Sequence, residues 1–327
     1  MNFVSILRAS SIAALTALAW TVCINGAHAQ SAGKTITIIV PYTPGSGPDI
    51  LARLLSEELQ QRWGQPVVVD NKPGASGSLG ASQAMRAEPD GQTIMMTTNP
   101  FTNNVALFKT LPYDPLKGFE PIVFAGSGAL VLTLHPSVPA KNTQEFIAHA
   151  KANPGKINYG SPGHGTPHHL AMELFKQITK TDMKHIPYRG SAGATQDLVG
   201  GHVDAGFQAI HVILPVARNN QVKLIATASK DRQPIAPELP SLAEQGMPGF
   251  HVDLWYGVLA PKGTPKDMVA KYNTVINEIL AQPSVQERLG KQGIVVGGGT
   301  PERLRDFLVE ETAKWQKVVK EAGITPD

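Results

Sequence analysis

Three histidines and three glycines fall within the twelve residues from Tyr159 to Leu170, YGSPGHGTPHHL. Imidazole can ligate a metal, move a proton or donate a hydrogen bond. Glycine lets backbone come close to a ligand and take positive φ. His164 and His168 stand four apart with His169 adjacent, and an i, i+4 histidine pair on a helix can hold zinc. However, Pro162, Pro167 and the glycines make residues 160–166 a loop, so His164 precedes the helix. The nearest carboxylate in sequence is Glu173. The expectation is therefore no metal, with His168 or His169 packing in the first helical turn.

A second stretch, YTPGSGPD at 42–49, has the same construction of strand end, glycines and helix start. The first N–H groups of a helix lack intrahelical partners and carry the positive end of its dipole. Such a loop is a ready anion site. Two of them, with Ser46, Ser161 and Thr166 able to donate hydrogen bonds, suit a small carboxylate.

The elements that position these loops repeat. Thr35 to Val40 reads as a strand. Ile50, Leu51, Leu54, Leu55, Leu59 and Trp63 then recur at helical spacing, with Asp49 in the N-cap position. PVVVDN is a strand, residues 80–87 a helix, and DGQTIMMTTNP turn, strand and turn. Further on, 129–136 reads as a strand, 142–152 as a helix, and two more strand-loop-helix units follow. Two amphipathic helices close the chain, the last over about 302–320. The rhythm argues for a mostly parallel sheet with helices on its faces. Strand-like runs near 121–133 and 250–260 are the best crossings between two α/β halves.

Composition removes several classes. The chain has 327 residues, 29 Lys and Arg against 26 Asp and Glu, and one cysteine. Residues 1–29 read as a cleaved secretory signal, with Arg8, an apolar run and Ala27-His28-Ala29 before the cut. Cys23 lies inside it, preceded by Thr21 and Val22, a poor match to a lipid-attachment site. The exported chain then has no disulfide and no thiol nucleophile or ligand. Its charge is nearly balanced and no Lys/Arg run occurs, so nucleic acid is not an expected partner. Gly45-Ser46-Gly47 and Gly163-His164-Gly165 begin dinucleotide fingerprints, but Ile50 and His168 stand where the third glycine belongs. No phosphate-binding loop motif, nucleophile elbow or H-E-x-x-H motif occurs.

VPYTPGSGPDILARLLSEEL, VVVDNKPGASGSLG, DGQTIMMTTNP, YGSPGHGTPHHLAMELF, HIPYRGSAGATQDLVGGHVDAGF and WYGVLAPKGTP occur in this order. Together they resemble the Bug-type periplasmic receptors of tripartite tricarboxylate transporters, from about residue 34 to the C-terminus. The resemblance implies a two-domain, type II periplasmic-binding-protein clamshell of the α/β class, each domain a mostly parallel sheet flanked by helices. The expected division is 1–29 signal, 30–127 first domain, 128–250 second domain, and 251–327 returning to the first.

The resemblance also implies a small organic acid as ligand, membrane components of such a transporter as partners, a periplasmic location, a monomer, and neither cofactor nor catalytic residue. It places Tyr42, Gly45, Ser46 and Asn99 on one jaw. Ser161, His164, Gly165, Thr166, Ser191, Ala192 and Asp204 fall on the other. The family pattern has paired glycines where this chain has Gly45-Ser46, and a small polar residue where it has His164. The expectation is that His164 donates a hydrogen bond to the ligand. Arg189 is the one strong cation near a cleft motif. The competing class is an exported hydrolase or metalloenzyme using His164, His168 and His169.

Overall fold

The structure is a computed structural model that describes residues 34–321. The expected signal segment and Cys23 lie outside the described residues. Among the described residues no helix is long and apolar enough to cross a membrane.

The chain opens with β1 (Ile36–Val40), whose β-branched residues are almost wholly buried. It runs parallel to β2 (Val67–Asn71) on one side and β3 (Thr93–Thr97) on the other. Parallel neighbours need crossovers, supplied by α1 (Gly47–Trp63) and α2 (Ser78–Met85). After β3 comes α3 (Pro100–Leu107). The second half repeats the scheme. After α4 (Thr143–Ala152), β5 (Asn158–Ser161) lies parallel to both β6 (Lys184–Pro187) and β7 (Ala205–Ala209). The connections are α5 (Pro167–Thr179) and α6 (Ser191–Val199). Helix α7 (Ile210–Arg218) follows β7 directly, and β8 (Lys223–Thr227) follows α7.

One strand belongs to both halves. β4 (Phe119–Leu134) is 16 residues long and buried nearly throughout. Its residues Phe119 to Ala129 pair with β9 (Asp253–Pro261), and β9 pairs in turn with β3. Its last five residues, Leu130 to Leu134, pair with β7 instead. The strand-like runs expected at 121–133 and 129–136 are thus a single element. Register shifts beside Pro121 and Phe124 interrupt its ladder with β9, and such bulges bend and twist a strand.

The end of the chain returns to the first half as α8 (Lys266–Leu280), α9 (Pro283–Gly290), β10 (Ile294–Val296) and α10 (Pro301–Glu321). α10 packs on α3 and β4, and the buried Tyr272 of α8 donates to Gly91 O at 2.7 Å. Two amphipathic helices were expected here, and α9 and β10 lie between them. Asp49 is not the N-cap of α1; Ser46 is. Pro48 suits the first helical turn, where its missing N–H costs nothing, so the helix begins earlier.

Helix α2 sits close to the strand ends. A Cβ on Gly80 would lie 2.8 Å from both Lys72 O and Pro41 Cα. Backbone cannot yield as a side chain does, so Gly80→Ala is expected to cost about 1–3 kcal/mol. Gly64→Ala, with open space but φ +65, should cost about 1 kcal/mol, from the left-handed backbone alone. Urea denaturation of the two variants checks the order.

Candidate functional site

The carboxyl end of β1 leads into Tyr42-Thr43-Pro44-Gly45-Ser46, and the carboxyl end of β5 into Pro162-Gly163-His164-Gly165-Thr166. Between these loops lies a cavity of about 560 Å³. The N-terminal ends of five helices reach its wall. Ser46, Gly47 and Pro48 begin α1, Pro100 begins α3, and Thr166, Pro167 and His168 begin α5. Ser191 begins α6, and Ala209 and His211 begin α7. Among the described residues, Arg189 is the one charged side chain in the lining, and no aspartate or glutamate joins it.

The first loop is fixed by a carboxylate facing away from the cavity. Asp49 Oδ2 accepts from Gly45 N–H and Arg53 Nε, both at 2.9 Å, and Oδ1 accepts from Asn71 Nδ2 at 2.9 Å. Burial pushes this carboxyl up, but bonds from Arg53, Gly45 and Asn71 outweigh it and hold it below the usual range. Asn71 Nδ2 also donates to Tyr42 O at 3.1 Å. Tyr42 bonds Thr97 Oγ1 and Thr98 O through its hydroxyl. The second loop is held by its own polar atoms. Thr166 caps α5, accepting from His169 N–H and donating to Gly163 O at 2.8 Å. The second loop is also tied to the first half of the chain, by the turn before α2 and by α3. Ser76 Oγ donates to His164 O at 2.6 Å, and Asn103 Nδ2 to Gly165 O at 3.3 Å.

Of the residues expected at the site, Tyr42, Ser46, Thr166 and Ser191 line the cavity. The remaining seven lie outside the lining, each with an assignable position. Gly45 uses its N–H on Asp49. Asn99 is fully buried, with Nδ2 on Asp253 O and Oδ1 accepting from Trp255 N–H. Ser161 Oγ is engaged with Gly163 and with His185 Nε2 at 2.6 Å. Gly165 donates to His169 Nδ1. Ala192 is exposed. Asp204 Oδ2 accepts from Asn158 N–H at 2.8 Å, tying the start of β7 to β5. His164 is exposed, and its ring packs edge-on against His169 and His185, with centroids 5.4 and 4.8 Å away.

His168 and His211, outside the sequence-derived set, do line the cavity. Burial, then the neighbouring His211, lowers His168 to about 3; burial lowers His211 to about 4, against an opposing effect of the Gly45 backbone. His168 was expected only to pack. Its position directly after Pro167 at the helix start was the available signal. His211 had none, because α7 follows its strand without a loop.

The histidine cluster is real but differently composed. His164, His169 and His185 bring a nitrogen each within 4.8 Å of one another. The rings of His169 and His185 stack at 4.1 Å, inclined by 17°. Imidazole lone pairs lie in the ring plane, so those of two stacked rings run side by side rather than converging on one ion. His169 Nδ1 is already an acceptor for Gly165 N–H, and His185 Nε2 pairs with Ser161. As arranged, the cluster braces the second loop from behind.

Burial lowers His169 and His185 to about 3 as well, with neighbouring histidines adding to the effect. These four folded-state values lie below the ordinary 6.5, so the unfolded chain takes up protons first as pH falls. Their stability contribution is present above about pH 6.5 and drains toward pH 3–4. Melting temperature should fall steadily from pH 7 to 4.5, and the slope should flatten in a His169→Gln/His185→Gln double variant.

A family model described as the tripartite tricarboxylate transporter family receptor matches residues 51–324. The protein BugT of Bordetella pertussis is 35% identical over 292 residues, covering 89% of this chain and 90% of the relative. Among solved structures, R. palustris Rpa4515 with adipate is similar at a TM-score of 0.87 and 33% identity, over 90% of this chain and 98% of that one. The periplasmic binding protein BugD is similar at 0.84 and 32% identity, over 90% and 99%.

Proposed function

The chain belongs to the tripartite tricarboxylate transporter receptor family, periplasmic solute-binding proteins of the two-lobed type II fold rather than enzymes, and from that premise we propose that it captures a small carboxylate-bearing metabolite in the cleft and delivers it to the membrane components of such a transporter. The observation that carries this reading is the ring of five helix starts around a cavity with one cation and no carboxylate in its lining. Each helix end favours an anion by about 0.3–2 kcal/mol. The ligand carboxylate sits between the 42–48 and 162–168 loops, with Ser46 and Thr166 at the two helix starts and Ser191 beside them. Adipate bound to Rpa4515 is a ligand of the same chemical kind.

Capture and release are a hinge motion. The lobes are 30–127 with 251–327, and 128–250, and the hinge lies where β4 and β9 pass between them. The bonds Ser76–His164 and Asn103–Gly165 join the lobes, from the turn before α2 and from α3 to the second loop. The receptor acts as a monomer, and nucleic acid is no part of its function. Secretion proceeds through the leader at 1–29.

Ligand binding stabilises a receptor by about 2.7 kcal/mol at a hundred times Kd. A thermal-shift screen of mono-, di- and tricarboxylates should therefore raise the melting temperature for at least one class; no shift with any of them would remove the reading. Ser46 caps α1 without using its hydroxyl for the cap. Ser46→Ala should accordingly leave the unliganded melting temperature nearly unchanged while weakening the best acid about fivefold to tenfold in calorimetry.

A further inference from the structure

Four residues of the cavity wall hold buried polar atoms with no hydrogen-bond partner in the protein: Ser46 Oγ, both ring nitrogens of His168, His211 Nε2 and the Tyr256 hydroxyl. A buried polar atom left unpaired costs about 1–3 kcal/mol. The carboxylate of the proposed ligand engages the helix starts and Ser46, which leaves the two imidazoles and the phenol unexplained. His168 is only 8% exposed.

The two rings stand on different helices yet interact, His168 at the second position of α5 and His211 at the second position of α7. The positive end of a helix dipole disfavours a charged ring in that position, as does burial, so both rings are neutral. A neutral imidazole carries one N–H and one bare nitrogen. Both ring nitrogens of His168 are unpartnered, so whichever tautomer it takes, one of them keeps a bare lone pair. His211 adds one unpartnered ring nitrogen, Nε2. The lone pair on His168 needs a donor. A carboxylate, which only accepts, is the wrong group there; a hydroxyl or amide is the right one, because His168 or Tyr256 can donate back to it.

The remaining wall fixes the rest of the ligand. Pro41, Pro73, Pro100, Pro162, Tyr42 and Tyr188 offer flat, largely apolar faces. No carboxylate stands in the lining to pair with an ammonium group. We propose that His168 and His211 form a neutral polar subsite for a hydrogen-bond-donating, uncharged substituent, and that the ligand is a ring-bearing monocarboxylate with such a group rather than a dicarboxylate or an amino acid. The assignment rests on the carboxylate-receptor reading.

The test is calorimetry on the full exported chain with benzoate, 3- and 4-hydroxybenzoate, terephthalate, phenylalanine and adipate. At least one hydroxybenzoate should bind tenfold or more tightly than benzoate, a difference of the size one well-placed hydrogen bond makes. Terephthalate, phenylalanine and adipate should bind more weakly than that hydroxybenzoate. In His211→Leu and in His168→Leu the hydroxybenzoate-to-benzoate ratio should collapse toward one. The ratio is read within each variant, so a loss of folded protein cancels, and His211→Asn, which keeps a polar side chain, should fall between. Equal affinity for benzoate and both hydroxybenzoates overturns the inference, as does tightest binding of adipate or terephthalate, or a ratio unmoved by either leucine variant. In those cases the receptor reading stands. If no acid binds at all, the receptor reading falls first and this inference with it.

Discussion

Every helix begins with backbone N–H groups that no earlier turn can satisfy. Most proteins spread that cost over their surface. Here five helices begin on the wall of one cavity, and nearly everything else serves to keep them there. The parallel strands β1 and β5 aim their carboxyl ends at the cavity, so each following helix must start beside it. Prolines at the starts of α1, α3 and α5 set where those helices begin. The anion preference is a property of backbone direction before it is a property of any side chain.

The second constraint is that two such sheets must be held at one mouth. β4 does this by belonging to both, pairing with β9 along its first part and with β7 at its end. Its burial leaves little freedom along most of its length. Local polar networks complete the positioning: Asp49 with Gly45, Arg53 and Asn71 behind one loop, and the Ser161, His169 and His185 group behind the other. In both places charged or titratable groups are spent on holding a loop rather than on the cavity.

Periodicity made α1, α5 and α10 legible, because their apolar residues recur at helical spacing over several turns. α3 and α7 were not. PFTNNVAL lacks strong helix formers apart from its last residues, and α7 contains Pro215 and follows β7 without a loop. Missing α7 meant missing His211. Glycines and helix starts pointed to Ser46 and Thr166, which do line the cavity. The histidines were harder, since sequence distance says little about which ring turns inward. His164 and His168 are four apart, yet one lies exposed on a loop and the other in the cavity wall. His185, twenty-one residues beyond His164, is its edge-on ring neighbour through the pairing of β5 with β6, a relation that no local pattern encodes.

The bonds that tie the second loop to the turn before α2 and to α3 end on main-chain oxygens, those of His164 and Gly165. Such a contact is indifferent to what side chain position 164 carries. Mutations there can accumulate without loosening the junction, provided the loop keeps its path. The cleft thus separates two inheritances: a clasp written in backbone, which drift at position 164 leaves intact, and a selectivity written in a few inward side chains, which can be rewritten one at a time. A receptor built this way can change its diet without relearning how to close.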